Sequence, residues 1–278
     1  MSLQPGEVVR LSERVRRIVA PNPGVFTGPG TNTYLIGSTE GAVCVLDPGP
    51  PEASHAEAIL AACGGCIGRI AVTHTHPDHS PGVQLLKVHC DEIIGRLARH
   101  PESQDPKFQP GIAPEHDDVI SGPDYTLRVV HTPGHASNHL CYLLEEEGML
   151  FTGDHIMNGS TVVIPPRDGS MSEYLDSLKL LRDYPIRQLA PGHGELMDNP
   201  GEVVDGLIAH RLRREAKVHE RLGRFEAPVD LEQLVVSVYD DVDARLHRIA
   251  VSSLHSHLIR LAELGRARET PEGWCCVE

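Results

Sequence analysis

Short apolar runs alternate with turn residues over the first two hundred positions of the chain. Their lengths and their β-branched residues are typical of buried strands. The clearest runs span residues 33–36, 42–46, 69–72, 126–130, 139–144 and 149–151. Helix-like patterns lie between them, over residues 54–62, 83–89 and 172–183. This mixture of strands and helices predicts layered sheets that are covered by helices.

The pattern changes after Pro200 to one long amphipathic helix, residues 202–223, followed by a break at residues 226–228. Asp230 and Gln233 form a start similar to a capping box. Further helices are predicted over residues 243–250 and 252–264, and a hairpin over residues 266–278. We therefore predict a first domain over residues 1–200, a connecting helix over residues 201–226 and a winged-helix-like domain over residues 227–278.

Composition narrows the class of protein. The 278 residues are 40% hydrophobic, which is enough for a buried core, and carry a formal net charge of -14. That charge disfavours a broad, sequence-independent grip on a polyanion, because such binding needs Lys and Arg. No apolar stretch approaches the roughly 20 residues of a membrane span, and residues 1–10 do not resemble a signal peptide. Seven Cys without a disulfide-framework spacing fit a reducing compartment. We expect a cytoplasmic protein with no membrane partner.

The run from His74 to His79, His-Thr-His-Pro-Asp-His, holds four metal-binding side chains within six residues. It follows a predicted buried strand directly, on a loop where functional groups are commonly held. One such loop can direct His74 and His76 to one cation and Asp78 and His79 to a second. Two-metal sites need only about 3.5 to 4 Å between the ions. The spacing therefore predicts a dinuclear metal site.

Three further motifs place glycine beside a histidine or aspartate at a strand end, where glycine allows a sharp turn of the backbone. They are residues 132–135, 152–155 and 190–193. We assign His74, His76 and His135 to the first metal, Asp78, His79 and His193 to the second, and Asp154 as the bridge between them. Imidazole and carboxylate ligands without thiolate favour two zinc ions, and iron and manganese are compatible with the same set.

The complete set of motifs resembles the signature of the metallo-β-lactamase superfamily, over residues 1 to about 200. Within the superfamily, residues 22–24, 30–35 and 152–154 together with the helical C-terminal unit look like the lactamase-β-like endoribonucleases. This resemblance implies an α/β fold, an αββα sandwich, with two zinc ions and a small winged-helix domain. It also implies a hydrolase in which both metals share a hydroxide that attacks phosphorus or a carbonyl carbon. Asp154 would then hold the ion pair and Asp78 would orient the nucleophile.

Several functions are compatible with this set. The leading prediction is a phosphodiesterase or endoribonuclease acting on single-stranded RNA. The alternative is a glyoxalase II-like thioesterase, of the hydroxyacylglutathione hydrolase type, or another hydrolase of small thioesters or phosphoesters. A β-lactamase is disfavoured, because the resemblance associates an Asp154 bridge with phosphodiesterases and thioesterases. In a third interpretation, the winged helix serves only as a partner-binding or homo-oligomer-forming module on an enzyme with a small substrate.

Substrate contacts are less well determined by the sequence. Arg211, Arg214 and Lys217 share one face of the long helix, and this face is either a solvated stripe or a clamp for phosphate or carboxylate. Asn32 and His155 are further candidates for substrate binding, and His155 is also a candidate for supporting a metal ligand. Candidate nucleic-acid contacts in the terminal unit are His255, His257, Arg260, Arg266 and Arg268. The sequence identifies no acid that protonates the leaving group.

Overall fold

The computed structural model describes residues 3–38, 42–90 and 92–277. The outer ends of the predicted terminal domains, residues 1 and 278, lie outside this range. Within it, two six-stranded sheets and a two-stranded sheet are formed.

The first sheet contains β1 to β6 in chain order. The strands are β1 (Val8–Arg10), β2 (Val15–Val19), β3 (Asn32–Ile36), β4 (Val43–Leu46), β5 (Ile67–Ala71) and β6 (Ile93–Ile94). Neighbours are antiparallel from β1 to β4 and parallel from β4 to β6. The crossover from β4 to β5 contains helix α1 (Ala53–Ala62), and α2 (Val83–Leu86) follows β5. The helix predicted over residues 83–89 is shorter in the structure. It consists of a single α turn, α2, followed by a 3-10 turn at Lys87–His89.

The second sheet has the order β12-β11-β10-β9-β8-β7. Its strands are β7 (Val119–Ser121), β8 (Thr126–His131), β9 (Leu140–Leu144), β10 (Met149–Gly153), β11 (Gln188–Pro191) and β12 (Met197–Asp198). Only the pair β10 and β11 is parallel, and its crossover contains helix α3 (Met171–Leu180). Ser170 caps α3 by accepting a hydrogen bond from the backbone N–H of Glu173.

Alternate residues of the central strands face different layers. On β3, Tyr34 and Ile36 join the core between the two sheets, whereas Leu35 packs in the core under α1 and α2. On the outer face of the second sheet, a further core forms under α3 and the start of the next helix. The central strands are thus buried on both faces, which explains their nearly continuous apolar sequences. The predicted αββα sandwich is confirmed.

The C-terminal part contains α4 (Pro200–Leu222), α5 (Leu231–Val238), α6 (His247–Glu263) and the hairpin β13 (Ala267–Thr270) with β14 (Gly273–Cys276). The carboxylate of Asp230 accepts the N–H of Gln233 at 2.7 Å and caps α5. The two helices predicted over residues 243–250 and 252–264 are one continuous helix, α6, preceded by a 3-10 turn at Ala244–Leu246. The helix is continuous because no Gly or Pro interrupts it. The side chain of Asp243 caps the preceding 3-10 turn by accepting the backbone N–H of Arg245.

The C-terminal part packs against the sandwich. Helix α4 contacts α3 and α6, and α6 also contacts α3. The Ser256 hydroxyl on α6 donates to the carbonyl of Ile164 at 2.7 Å. Among the described residues, no helix combines the length and apolar character that crossing a membrane requires.

Candidate metal centre

The predicted ligands lie on loops that leave the ends of four strands. His74, His76, Asp78 and His79 follow β5, and His135 follows β8. Asp154 follows β10 and His193 follows β11. The structure brings all seven side chains together, in overlapping groups whose potential ligand atoms lie within 4.8 Å of one another. These groups could hold a metal ion.

The first group consists of three imidazoles. Nδ1 of His76 lies 2.9 Å from Nε2 of His74 and 2.9 Å from Nε2 of His135. The Nδ1–H of His135 donates to the carbonyl of Val163 at 2.7 Å, which turns Nε2 toward the other two rings. Three nitrogen atoms therefore converge on one point.

The second group combines imidazole and carboxylate. Nε2 of His193 lies 3.2 Å from Oδ2 of Asp78 and 3.2 Å from Oδ1 of Asp154. Nε2 of His79 lies 3.5 Å and 3.4 Å from the same two oxygens. The other oxygen of Asp154 lies 3.7 Å from Nε2 of His135, in the first group. Asp154 thus lies between the two groups, in the position that a bridging ligand requires.

Buried polar atoms that lack a hydrogen-bond partner indicate that these residues are suited to binding cations. Nε2 of His79, Nε2 of His193 and Oδ1 of Asp154 are buried and make no well-oriented hydrogen bond among the described residues. Buried polar atoms in folded proteins normally have a partner, and leaving one without a partner costs about 1 to 3 kcal/mol. A divalent cation would satisfy all three atoms. Imidazole and carboxylate without thiolate are also the ligands that zinc accepts.

The electrostatics of the two groups differ. Burial lowers the pKa of His74 well below its ordinary value and that of His76 to about 3, so both rings are neutral at pH 7. Burial alone would also lower the pKa of His193, but the carboxylate of Asp154 outweighs it and raises the pKa to about 9. Burial opposes ionisation of Asp78, yet the neighbouring His79 and His193 lower its pKa to about 2. The imidazole of His193 therefore carries a proton close to the Asp78 and Asp154 carboxylates, where a bound cation would replace it.

Asp47 is a member of the site that the sequence analysis missed. Its Oδ2 accepts a hydrogen bond from Nδ1 of His79 at 2.9 Å, and its carboxylate also accepts the backbone N–H and hydroxyl of Thr73. Asp47 follows β4 directly and is itself followed by Pro48 and Gly49. The signal was present, because this strand-end aspartate near glycine repeats the pattern of the other ligands.

His139 is a second residue of the site that the sequence analysis does not identify. It is fully buried, with its ring centroid 5.1 Å from that of His74. Its Nε2 accepts the backbone N–H of Asp154 at 3.2 Å, and its Nδ1 shares a hydrogen bond with the Thr132 hydroxyl. The ring therefore fixes the loop that carries Asp154. No sequence motif distinguishes it from other histidines.

His155 and Asn32 do not line the cavity beside the cluster. The ring of His155 is fully buried and packs against Tyr174, with centroids 5.0 Å apart. The amide of Asn32 donates to the carbonyls of Pro191 and Gly194 at 2.9 and 2.8 Å. Asn32 thus ties β3 to the loop that carries His193. In place of the predicted substrate contacts, the structure shows packing and loop positioning.

The basic face of α4 is largely neutralised within the protein. Arg214 donates to both carboxylate oxygens of Asp241 at 2.8 and 3.0 Å and stacks on the Tyr239 ring. Lys217 contacts Asp240 and lies 3.0 Å from Asp241. Arg211 is buried and donates to the carbonyl of Val162. Arg214 and Lys217 therefore pair with carboxylates of the C-terminal part, whereas Arg211 contacts the sandwich. Arg211 and Arg214 also line the cavity described below.

The predicted nucleic-acid contacts in the terminal unit are divided by burial. His257 is fully buried, and the half-buried Arg260 pairs with the buried carboxylate of Glu215, so contacts within the protein engage both residues. His255 packs against Trp274, with ring centroids 5.8 Å apart. Arg268 is exposed, and Arg266 is exposed beside His219. The five residues therefore do not share one recognition surface.

A cavity of about 710 Å³ lies over the candidate metal centre. His76, Asp78, His135 and Asp154 line it. The remaining lining comes from three parts of the chain and is mostly apolar. It comprises Val25, Phe26, Thr27 and Pro77, then Met157, residues 160–163 and Pro165, and from the C-terminal part His210, Arg211, Arg214, Tyr239, Val242, Leu246, Ile249, Ala250 and Ser253. Its size is that of sites for small organic molecules.

Comparison with known proteins agrees with this geometry. Residues 26–193 match the family model described as the metallo-beta-lactamase superfamily, and residues 231–274 match the beta-lactamase associated winged helix domain. The Atrochrysone carboxyl ACP thioesterase dmxR1 of Cryptosporiopsis sp. (strain 8999) is 31% identical, over 94% of this chain and 84% of that protein. The Beta-lactamase-like protein 2 homolog of Caenorhabditis elegans is 31% identical, over 93% of this chain and 87% of that protein.

A solved structure shows the same fold. The metallo-beta-lactamase family protein of Thermus thermophilus aligns with a TM-score of 0.81 at 20% identity, covering 96% of this chain and 100% of that chain. The fold and the His/Asp cluster define a hydrolase with a potential metal centre. The chain belongs to the metallo-beta-lactamase superfamily and carries a C-terminal beta-lactamase associated winged helix domain.

Proposed function

We propose that this protein is a dinuclear zinc-dependent thioesterase that hydrolyses small acyl thioesters with a bulky apolar acyl group. The observation that carries the proposal is the continuity of the apolar cavity with the ligand cluster. His76 and Asp78 form part of the same wall as Tyr239 and Ile249 of the C-terminal part. An acyl group bound there would have its carbonyl carbon beside the cluster.

The walls of the cavity favour an apolar ligand. Val25 and Phe26 are 78% and 58% exposed, although both belong to this lining. Exposed large apolar side chains grouped beside a cavity commonly mark a binding site. Burying an acyl group against them would contribute about 25 cal/mol for each Å² of apolar surface removed from water. This gain depends on the apolar area of the acyl group, so short acyl chains would bind weakly.

The charges disfavour a nucleic-acid polymer as the substrate. Binding to a phosphate backbone depends on lysine and arginine side chains that can replace counterions. On α4, Arg214 and Lys217 are paired with Asp241 and Asp240, and Arg221 also pairs with Asp240. The chain as a whole carries a net charge of -14. The single-stranded RNA hypothesis stays a prediction, and the relative from Caenorhabditis elegans is named without a substrate.

The relatives support the thioester alternative. The protein from Cryptosporiopsis sp. is named an ACP thioesterase, and its likeness spans both the sandwich and the C-terminal part of this chain. A carrier-bound acyl thioester is consistent with a cavity that takes the acyl group.

Each site residue has a distinct task in this proposal. His74, His76 and His135 would hold one zinc ion, Asp78, His79 and His193 the second, and Asp154 both. When bound, the two ions would lower the pKa of a water molecule and stabilise negative charge that develops on the thioester oxygen. Asp78 is the more exposed carboxylate, with 26% of its side chain accessible, and it faces the cavity. Its carboxylate can accept a hydrogen bond from the attacking water and so orient it.

The decisive experiment compares substrates on one preparation of protein loaded with zinc. N-acetylcysteamine thioesters of naphthoic and acetic acid would be assayed beside a single-stranded RNA and bis-p-nitrophenyl phosphate. We expect kcat/KM for the naphthoyl thioester to exceed that for the acetyl thioester at least tenfold. Asp78→Asn should lower both values by about 100-fold or more, which assigns the activity to this site.

Other outcomes would refute the proposal in different ways. Cleavage of RNA with no thioester turnover would replace it with the endoribonuclease hypothesis. Equal turnover of both thioesters would show that the cavity does not bind the acyl group. Thioester hydrolysis that survives Asp78→Asn would place the reaction outside this site.

A further inference from the structure

Three consecutive backbone carbonyls, those of residues 162–164, are held by three different parts of the molecule. The first carbonyl, of Val162, accepts a hydrogen bond from the guanidinium of Arg211 on α4. The second, of Val163, accepts the Nδ1–H of His135 at 2.7 Å. The third, of Ile164, accepts the hydroxyl of Ser256 on α6 at 2.7 Å. We call residues 162–164 the bridging segment.

The bridging segment has no secondary structure of its own. It lies in the connection between β10 and α3, outside any helix or strand. Its position therefore depends on side-chain contacts and packing, and not on a backbone ladder. Val162 and Ile164 are buried, and they belong to the core formed with α3 and α4.

The middle contact controls the geometry of a candidate metal ligand. A histidine that donates Nδ1–H to a carbonyl keeps Nε2 unprotonated and directed away from that carbonyl. For His135, Nε2 then lies 2.9 Å from Nδ1 of His76. A shift of the Val163 carbonyl would rotate this ring and move its Nε2.

We propose that Ser256 and Arg211 are positioning residues, through which the C-terminal helices hold His135 in the geometry that binds a metal ion. The inference rests on the proposed role of His135 as a metal ligand. It gives the C-terminal part a second task beside lining the cavity. The sandwich by itself lacks two of the three groups that hold the bridging segment.

Ser256 gives the cleaner test, because it does not line the cavity over the metal centre, whereas Arg211 does. The chain also offers a matched control. Ser172 on α3 donates its hydroxyl to Glu263 on α6 at 2.5 Å, so it too joins the sandwich to α6 but does not touch the bridging segment. Ser256→Ala and Ser172→Ala thus each remove one hydroxyl that links the same two parts.

The experiment measures cobalt binding to the full-length protein and needs no substrate. Metal-free wild type, Ser256→Ala and Ser172→Ala would be titrated with Co²⁺ against a competing chelator, and visible spectra and thermal midpoints would be recorded. We expect Ser256→Ala to weaken cobalt binding three- to tenfold and to change the visible absorption band. Ser172→Ala should keep the affinity and spectrum of the wild type.

Arg211→Lys provides a second variant, because it retains the positive charge and a donor at this buried position. We expect it to weaken cobalt binding less than Arg211→Met does. In an assay of the loaded enzyme, Ser256→Ala should lower kcat and leave KM within twofold.

The positioning role would be overturned if Ser256→Ala kept the cobalt affinity and spectrum of the wild type and showed the same thermal shift as Ser172→Ala. The proposed function would then remain intact. If wild type bound no cobalt, both would be overturned. If cobalt binding weakened as expected while no thioester was hydrolysed, only the proposed function would be lost.

Discussion

Oδ2 of Asp47 accepts a hydrogen bond from Nδ1 of His79 at 2.9 Å, and this contact fixes which nitrogen of His79 faces the candidate metal centre. The backbone of Asp47 adopts a φ of 50°, in the left-handed region that residues other than glycine seldom occupy. Strain of this kind persists where the surrounding structure imposes it, and it is common at functional sites. Three hydrogen bonds to the Asp47 carboxylate hold it there.

We expect Asp47→Asn to weaken zinc binding by about 10- to 100-fold, because the amide keeps the size of the side chain but loses the charge that orients His79. Chelator competition would measure the dissociation constant. Asp105→Asn is the matched control, since Asp105 is also buried and accepts from Ser80 but contacts none of the predicted ligands. Equal losses in the two variants would contradict a specific role for Asp47.

Gly192 lies where any side chain would enter the candidate metal centre. A Cβ atom at this position would lie 2.8 Å from Cε1 of His79 and 2.9 Å from Oδ1 of Asp154. We expect Gly192→Ala to lower zinc affinity and activity at least tenfold and to destabilise the fold by about 1 to 3 kcal/mol. Zinc titration and denaturant unfolding would measure both.

The control for this substitution is Gly206→Ala on α4, where an added Cβ meets no heavy atom within 4 Å. Alanine in a helix interior is favoured over glycine by about 0.8 to 1 kcal/mol, so the control should be slightly stabilising. If Gly192→Ala bound zinc as wild type does, the backbone approach to the ligands would be unimportant.

Ala250 lies on α6 in the lining of the cavity. We expect Ala250→Phe to raise KM for the naphthoyl thioester about tenfold, because the larger ring occupies the space of the acyl group, and to change KM for the acetyl thioester less than twofold. Steady-state kinetics on both substrates would measure the effect. Ala244→Phe, at an exposed position before α6 and outside the lining, should leave both values unchanged. A parallel rise of both KM values in Ala250→Phe would argue against an acyl-binding role.

His55 should make the protein less stable in acid. Burial lowers the pKa of its imidazole to about 4, from an unfolded value of 6.5. Between these values the unfolded chain binds a proton that the folded protein does not, so stability falls as pH drops from 6.5 to about 4. Below that range both states are protonated and the loss stops. The full effect is on the order of 3 kcal/mol.

The test is His55→Gln, which retains a donor toward the hydroxyl of Thr33, 2.8 Å from Nε2 in the wild type. We expect the free energy of unfolding of this variant to depend less steeply on pH between 4 and 6.5 than that of the wild type. The difference in slope should correspond to the uptake of up to one proton on unfolding. The same substitution at an exposed histidine, His89→Gln, serves as the control. A slope that His55→Gln leaves unaltered would show that His55 does not titrate on unfolding.

Much of the candidate metal centre could be predicted from the sequence, because each of its motifs consists of residues that lie close together along the chain. The spacing from His74 to His79 fits four ligands on one loop, and glycine precedes His135, Asp154 and His193 at strand ends. The central strands β3, β4, β5, β8, β9 and β10 were also predictable, because burial on both faces requires continuous apolar runs. The short outer strands, such as β1 and β12, lack such runs and were not predicted. Helix boundaries in the C-terminal part were less predictable from the sequence. The two predicted helices are joined in α6, and no Gly or Pro marks a boundary between them.

The sequence by itself determined the types of the candidate ligands and their strand-end positions, because both depend on residues close together in the chain. Only the tertiary structure decided which groups lie behind the ligands and what covers them. Asp47 reaches His79 across 32 positions, and Asp241 neutralises Arg214 across 27. Such pairings depend on how the sheets and the C-terminal helices pack, and a side chain's type does not reveal which distant partner satisfies its charge or hydrogen bonds.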